Sequence, residues 1–501
     1  MKTAAIEFAD LVHAEWTKFR TVRGWVVAVA AGGLVIIAFG LAPGQHGSCN
    51  VSSCAGPTGP GGEQVSDSFY FVHQPLDGNG SITARVTSLT GQVPVPAEGS
   101  ATTSGLVPWA KAGIIIKASS TPGSAYAAMM VTGSHGTRMQ DDFTEDRPGL
   151  AGPVSVASPR WLRLTRFGDA VTGYDSADGV HWAKVGTATL AGLPSAAQVG
   201  LFTTSPQYLQ TSFSEASVSG GPSAATGVFD HVSLTRPGGS WVGVNVGGGG
   251  GGLGSAASFS QSAGTFTVTG SGDIAPSVSG GAGVGVTVAQ TLIGTFAGLV
   301  ILAVVGAMFM IAEYRQRLVV WTLAASPRRG RVLAAKAVVV GTVTFAAGLV
   351  SAAVAVLLGQ RVMRDDGAYV YPASALTELR VIAGTAAVLA VSVVIALATG
   401  AILRRGAWTV AVVVTVIVLP YTLTVAIPVL PPAAADWLLR VTPAAAFAVQ
   451  QTLIQYPQVS NTYTAAYGYF PLPPWAGLAV LLAWAALALA LALLRLRRRD
   501  A

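Results

Sequence analysis

"VIAGTAAVLAVSVVIALATGAIL" (381–403) runs its whole length without one charged side chain. A helix of about 17–25 apolar residues crosses the hydrocarbon core of a bilayer. A soluble core helix of that length would carry a polar stripe. Five more stretches read the same way: 24–42, 289–311, 337–359, 407–430 and 475–494. Composition agrees with this reading. Of the 501 residues 51% are hydrophobic and only 11% charged, where a soluble domain carries about 25% charged residues. The predicted fold class is a membrane α-helical bundle of six transmembrane helices. An all-β antiparallel, jelly-roll-like sandwich is inserted between helices one and two.

Charge orients the bundle. With the N-terminus inside, the inner segments hold 16 basic and five acidic residues, and the remaining chain 14 basic and 18 acidic. Basic residues gather on the cytoplasmic side of membrane proteins. The chain therefore reads as a multi-pass protein of a bacterial plasma membrane, with both termini cytoplasmic. The excess of arginine (24) over lysine (6) points to a GC-rich bacterial genome.

The first outer connection, 43–288, is too long for a plain loop. A Gly/Pro-rich linker (43–64) holds Cys49 and Cys54. On an extracytoplasmic side the pair would form a local disulfide or remain two thiols. From 65 to 235 short strands alternate with turns. In 161–166, Leu162 and Leu164 alternate with Trp161, Arg163 and Thr165, as in a strand with one buried and one wet face. Such a series implies an antiparallel sandwich on the outer side. A second linker (236–288) contains the glycine run 247–252, and 258–277 reads as an extra strand pair near the membrane.

Residues 1–23 form an amphipathic helix of the inner interface. Phe8, Leu11, Val12, Trp16 and Phe19 fall within about 140° of arc at 100° per residue. Glu15 sits in the middle of that apolar face, where a carboxylate needs a partner or must reach water. The expected partner is a basic group of 312–336 or of another protein. That segment opens on Glu313, Tyr314 and Arg315, continues through an apolar helix, and turns at 326–330.

"LVHAEWTKFRTVRGW" (11–25) and "AEYRQRLVVWTLAASPRRGRVLAAKAVV" (312–339) resemble the ABC-2 type transporter permease family of actinobacteria. "DWLLRVTPAAAFAVQQT" (436–452) also resembles that family, whose outer re-entrant helices lie there; this places 431–473 outside. Here Gln316-Arg317-Leu318 replaces the family's usual continuation. The resemblance implies an exporter subunit that is not itself an enzyme. Its partners would be an ABC ATPase subunit, a second permease copy or related permease, and the lipid bilayer. It assigns ATPase coupling to Glu15, Trp16, Lys18, Arg20, Glu313, Tyr314, Arg315, Pro327, Arg328 and Arg329. The insert resembles a concanavalin-A-like (DUF1349-like) sandwich through 108–117, 161–186 and 199–205.

Other chemistry has weaker signals. No G-x-x-x-x-G-K-[ST] phosphate loop occurs, so no cofactor is expected in this chain; ATP and Mg would bind the partner ATPase. Asp141, Asp142, Glu145 and Asp146 form the dense acidic cluster of the insert, readable as a solvated loop, a calcium site or a catalytic group. The six histidines show no metal spacing, and no metal site is expected. Trp109, Tyr174 and Trp182 are candidate glycan-binding residues, or else sheet packing. The cargo would be glycan or an amphipathic molecule, and no nucleic-acid partner is expected. The alternative reading is a membrane-anchored extracytoplasmic carbohydrate-binding or sensor protein.

Overall fold

The computed structural model describes residues 2–42, 56–95, 101–211, 218–247, 257–280, 285–315, 329–426 and 430–499. Helix α1 (Lys2–Thr21) precedes α2 (Arg23–Gly40). After the β region come α3 (Thr295–Arg315), α4 (Arg329–Asp365), α5 (Ala375–Leu403), α6 (Gly406–Val413), α7 (Pro432–Val441) and α8 (Pro474–Arg499). Among the described residues, six helices are long and apolar enough to cross a membrane: Arg23–Gly40, Val288–Arg315, Arg329–Asp365, Ala375–Leu403, Gly406–Val425 and Pro474–Arg498. The third is longer than the sequence suggests. Its charged first turn at Arg329 and Arg331 continues the helix, because Arg329 donates to the carbonyl of Leu496 and Arg331 pairs with Glu7.

Pro420 interrupts the fifth helix. Proline lacks an N–H and crowds the preceding turn, and here π-helical stretches Val414–Val418 and Thr422–Ala426 flank it. Pro428 lies outside the described residues. The segment Pro443–Gln450 is a fully buried 3-10 helix against α5 and α8. Gly477 of α8 permits that approach, since a Cβ there would collide with the carbonyl of Ala445.

The helix ends rich in arginine and lysine meet at one end of the bundle, and the β region stands at the other. The stacking of Arg404 over Tyr314 joins the last turns of α3 and α5, and the Arg329–Leu496 bond joins α4 to α8.

Of the nineteen described strands, fifteen build two facing antiparallel sheets, and the other four form two ribbons, β1 (Val65–Asp67) with β19 (Ile274–Pro276) and β13 (Tyr208–Thr211) with β14 (Val218–Gly221). One runs β11 (Ala183–Thr189), β10 (Ala170–Ser176), β9 (Arg160–Phe167), β3 (Gly80–Pro94), β15 (Ala224–Leu234), β18 (Thr265–Gly270) and β17 (Ser258–Ser262), with β4 (Thr102–Ser104) on β3; the other runs β16 (Val242–Val246), β2 (Phe69–Asp77), β12 (Ala196–Thr204), β5 (Lys111–Lys117), β6 (Tyr126–Thr132), β7 (Thr137–Asp141) and β8 (Glu145–Pro148). The core between them includes Ile82, Val86, Ile114, Ile116, Met129 and Leu164. In β9 (Arg160–Phe167) Leu162 and Leu164 face inward, as the alternation predicts. Arg166 keeps the inward phase at the rim, where its guanidinium donates to the carbonyls of Gly168 and Pro194.

The sandwich does not end at 235. β16 (Val242–Val246) pairs with β2, β18 (Thr265–Gly270) pairs with β15, and β19 pairs with β1. Strands from the segment read as the second linker, 242–246, 258–262 and 265–270, extend the two sheets instead of forming a separate pair near the membrane. The β1–β19 ribbon covers the second face of the seven-stranded sheet, so β5 (Lys111–Lys117) and β6 (Tyr126–Thr132) are buried throughout. Lys111 binds Asp273 (2.7 Å) and the carbonyl of Ile274, and Lys117 binds Asp67 (2.8 Å). Both lysine side chains are fully buried. Burial pushes the Lys117 ammonium below the ordinary lysine value, against the attraction of Asp67.

Below the ribbon, the backbone N–H of Gln64 donates to Tyr369, and Val286 bridges Val370 in parallel. Gln458 donates to the carbonyl of Thr144, and Asn461 to that of Ser279. The loops at this end of the bundle thus form a platform for the sandwich.

Lys117→Ala would leave the Asp67 carboxylate buried without its cation, at a cost of about 3–5 kcal/mol. Lys117→Met combined with Asp67→Leu should recover most of that loss. Denaturant unfolding of the full chain, followed through tryptophan fluorescence, compares the two.

Candidate functional site

The segments assigned to coupling, 11–25 and 312–339, meet at the basic end of the bundle. Helix α1 presents Glu15 and Lys18, α3 carries Glu313 in its last turn, and α4 carries Lys336 near its start. The Lys336 ammonium lies 2.6 Å from Glu15 Oε2 and 2.6 Å from Glu313 Oε1. Lys18 Nζ lies 2.8 Å from Glu15 Oε1 and 3.0 Å from Glu313 Oε1. Two carboxylates and two ammonium groups therefore sum to zero charge. The side chains of Lys336 and Glu15 are 1% and 2% exposed, that of Lys18 42%. Glu15 thus finds its basic partner at the last position of 312–336.

Aromatic rings close the network from one side. Lys336 Nζ stands 4.9 Å over the ring of Phe309, which Phe19 and Trp25 meet edge-on. Trp16 stacks on Phe19 and remains exposed. Low polarity around the charges strengthens their attraction and makes an unpaired member expensive. Burial pushes the Lys18 ammonium down, but its hydrogen bonds and attraction to Glu15 and Glu313 outweigh that, and its pKa is raised above the ordinary lysine value.

The predicted coupling residues divide by direction. Glu15, Lys18 and Glu313 face one another and hold α1 to α3 and α4. Tyr314 lies under Arg404, and Arg329 is committed to α8. Trp16, Arg20 and Arg315 face outward. Pro327, Arg328 and the turn 326–330 up to Arg328 lie outside the described residues, as do Cys49, Cys54 and glycines 248–252. Lys336 was not among the predicted residues. A lone lysine opening an apolar span reads as interface anchoring, and only the misplaced Glu15 carboxylate hinted at a buried cation.

The glycan candidates do not converge. Trp109 is 6% exposed, stacked on His135 at 3.9 Å with Arg138 at 5.6 Å from the ring centre, so it is packed into the domain. Tyr174 and Trp182 belong to the open face of the other sheet. There Arg163 lies 3.8 Å over Trp182 and directly opposite both Thr83 and Tyr174. The acidic cluster is a paired hairpin: Asp141 binds Arg147, Asp146 binds Arg138, and Asp142 accepts from the backbone of Tyr126. Among the described residues, no group of three His, Cys, Asp or Glu is arranged to hold a metal.

No family model and no curated protein matches the chain. Solved structures similar to part of it include a functionally unknown protein from Saccharomyces cerevisiae, at 15% identity and a TM-score of 0.22, covering 34% of this chain and 75% of that one. The GH43 protein BlXynB from Bacillus licheniformis is similar at 15% identity and a TM-score of 0.17, over 25% and 24% of the two chains. Scytalido-glutamic peptidase is similar at 10% identity and a TM-score of 0.23, over 41% and 98%. At these scores none bears on what the chain does.

Lys336→Ala should loosen α1 by leaving Glu15 and Glu313 with Lys18 alone between them and a net negative charge, at a cost of about 3–5 kcal/mol. Spin labels on α1 and α4 would report the separation, and an unchanged distance would refute the lock. Because the Lys18 pKa is raised, its share of the docking is complete below the ordinary lysine value and is lost as pH rises through the raised one. The labels should therefore hold their distance at neutral pH and separate only in strong alkali.

Proposed function

We propose that the chain is the transmembrane permease subunit of an ABC-type (ABC-2) exporter, energised by a separate ATPase subunit. The observation that carries this reading is the convergence of the two family-like segments. Glu15 and Lys18 of the first segment bind Glu313 and Lys336 of the second, 295 and more residues away. The α1 helix, the end of α3 and the start of α4 then move as one body. A motor that pushes on any exposed part of it, such as Trp16, Arg20 or Arg315, would tilt two spans at once and switch access across the membrane. Two such chains, or this chain and a related permease, would enclose the path. The apolar spans suit an amphipathic or lipid-like cargo, and the outer sandwich would receive cargo or bind wall glycan.

A second reading, a membrane-anchored carbohydrate-binding or sensor protein, draws on the open face that carries Arg163, Tyr174 and Lys184, directly paired across three strands.

Purification from native membranes in mild detergent separates the two. The permease reading expects a stoichiometric ATPase with a phosphate-binding loop among the retained proteins. Wall glycan or wall proteins in its place would favour the second reading. In reconstituted vesicles containing that ATPase, Arg315→Ala should reduce transport at least ten-fold while leaving the chain in the membrane. Unchanged transport would remove Arg315 from the coupling surface.

A further inference from the structure

Beside the ion-pair lock, the basic end of the bundle holds an open cavity of about 750 Å³. Its wall includes Arg315 from the end of α3, Arg404 and Arg405 from the turn after α5, and Met308, Ile311 and Trp408. Arg404 adopts a left-handed conformation (φ 57°) that ends α5, with its N–H on the carbonyl of Gly400. This abrupt stop sends the chain into α6 and leaves Arg405 at the mouth of the cavity. Arg315 and Arg405 are exposed and make no ion pair with a described residue. Arg315 and Arg405 thus bring two guanidinium groups to the cavity, and no described carboxylate pairs with either.

The rest of the wall is apolar. Met308 and Ile311 lie on α3, one turn and more before Arg315, and Val410 lies on α6. Trp408, 64% exposed, stands at the rim. Tryptophan concentrates where hydrocarbon meets headgroups, and basic pockets between transmembrane helices recognise anionic headgroups. The planar guanidinium fork matches phosphate oxygens in pairs. The first turn of α6 has no side-chain cap, so its partial positive charge adds to the same field.

We propose that this cavity binds the phosphodiester of an anionic glycerophospholipid, with the acyl chains lying along α3 and α6. A membrane lipid is favoured over a free anion because the charged groups sit directly above apolar helix faces. The site requires only that the chain lie in a membrane, so it stands or falls apart from the exporter reading.

The test uses the full chain in nanodiscs of phosphatidylcholine with phosphatidylglycerol, followed by native mass spectrometry of the retained lipid. Arg315→Gln combined with Arg405→Gln changes two exposed residues. Arg497→Gln combined with Arg498→Gln removes the same charge from the exposed tail. The wild type and the tail variant should retain phosphatidylglycerol at least ten-fold over phosphatidylcholine, and the cavity variant should show no preference. Equal retention by all three proteins, or equal loss in both variants, would overturn the site. A thermal stabilisation by inorganic phosphate in detergent that matches that of phosphatidylglycerol would overturn the lipid assignment. Melting temperature confirms that each variant is folded, and Arg405→Gln alone replaces the double variant if it is not.

Discussion

Lys336 is the cation around which the helical part is organised. Its ammonium is buried between two carboxylates, one from near the N-terminus (Glu15) and one only 23 residues before it (Glu313). A buried charge is tolerated only when paired and hydrogen-bonded, and here each member of the quartet supplies what its neighbours need. Removing any one leaves the remaining three with a net charge in a poorly solvated site. The geometry therefore specifies where α1 can lie. Phe309 anchors the aromatic side of the same junction, so dispersion and electrostatics select one docking angle together.

A second pair of buried lysines plays the corresponding part in the sandwich. Lys111 and Lys117 bracket β5 on the face turned toward the β1–β19 ribbon and bind Asp273 and Asp67. A sheet with one wet face alternates polar and apolar residues, whereas β5 and β6 are buried on both faces. The aspartates let charged side chains occupy positions that the ribbon would otherwise require to be apolar. The ribbon in turn continues into the segments that meet Tyr369 and Val370, so the same contacts seat the sandwich on the bundle.

Much of this was legible in the sequence, for identifiable reasons. Uninterrupted apolar runs announce spans without reference to tertiary structure, and the period of two in 161–166 exposes Leu162 and Leu164 as core. Glu15 was conspicuous because it breaks a helical stripe. Its partner was harder to see: Lys336 breaks no pattern, and the pairing depends on how α1 and α4 cross. The strands beyond 235 were read as peripheral because the glycine run interrupts them and β19 pairs with β1, about two hundred residues earlier. Trp109 illustrates the limit for binding residues. Its chemistry suits a sugar, but its environment buries it, with His135 stacked on the ring and Arg138 close by.

The pairing of β1 with β19 also bears on how the chain is made. It brings the entrance and exit of the inserted domain together, which lets α2 and α3 pack as neighbours, with Gly32 against Leu302 and Gly298 against Ile36. During synthesis, however, α2 reaches the membrane long before α3 exists. At ordinary translation speed the intervening domain takes roughly 10–50 s to appear. For that interval the glycine-lined face of α2 has no helix to meet. Closure of the ribbon is then the event that ends the wait: a finished inserted domain delivers the second apolar helix beside the first.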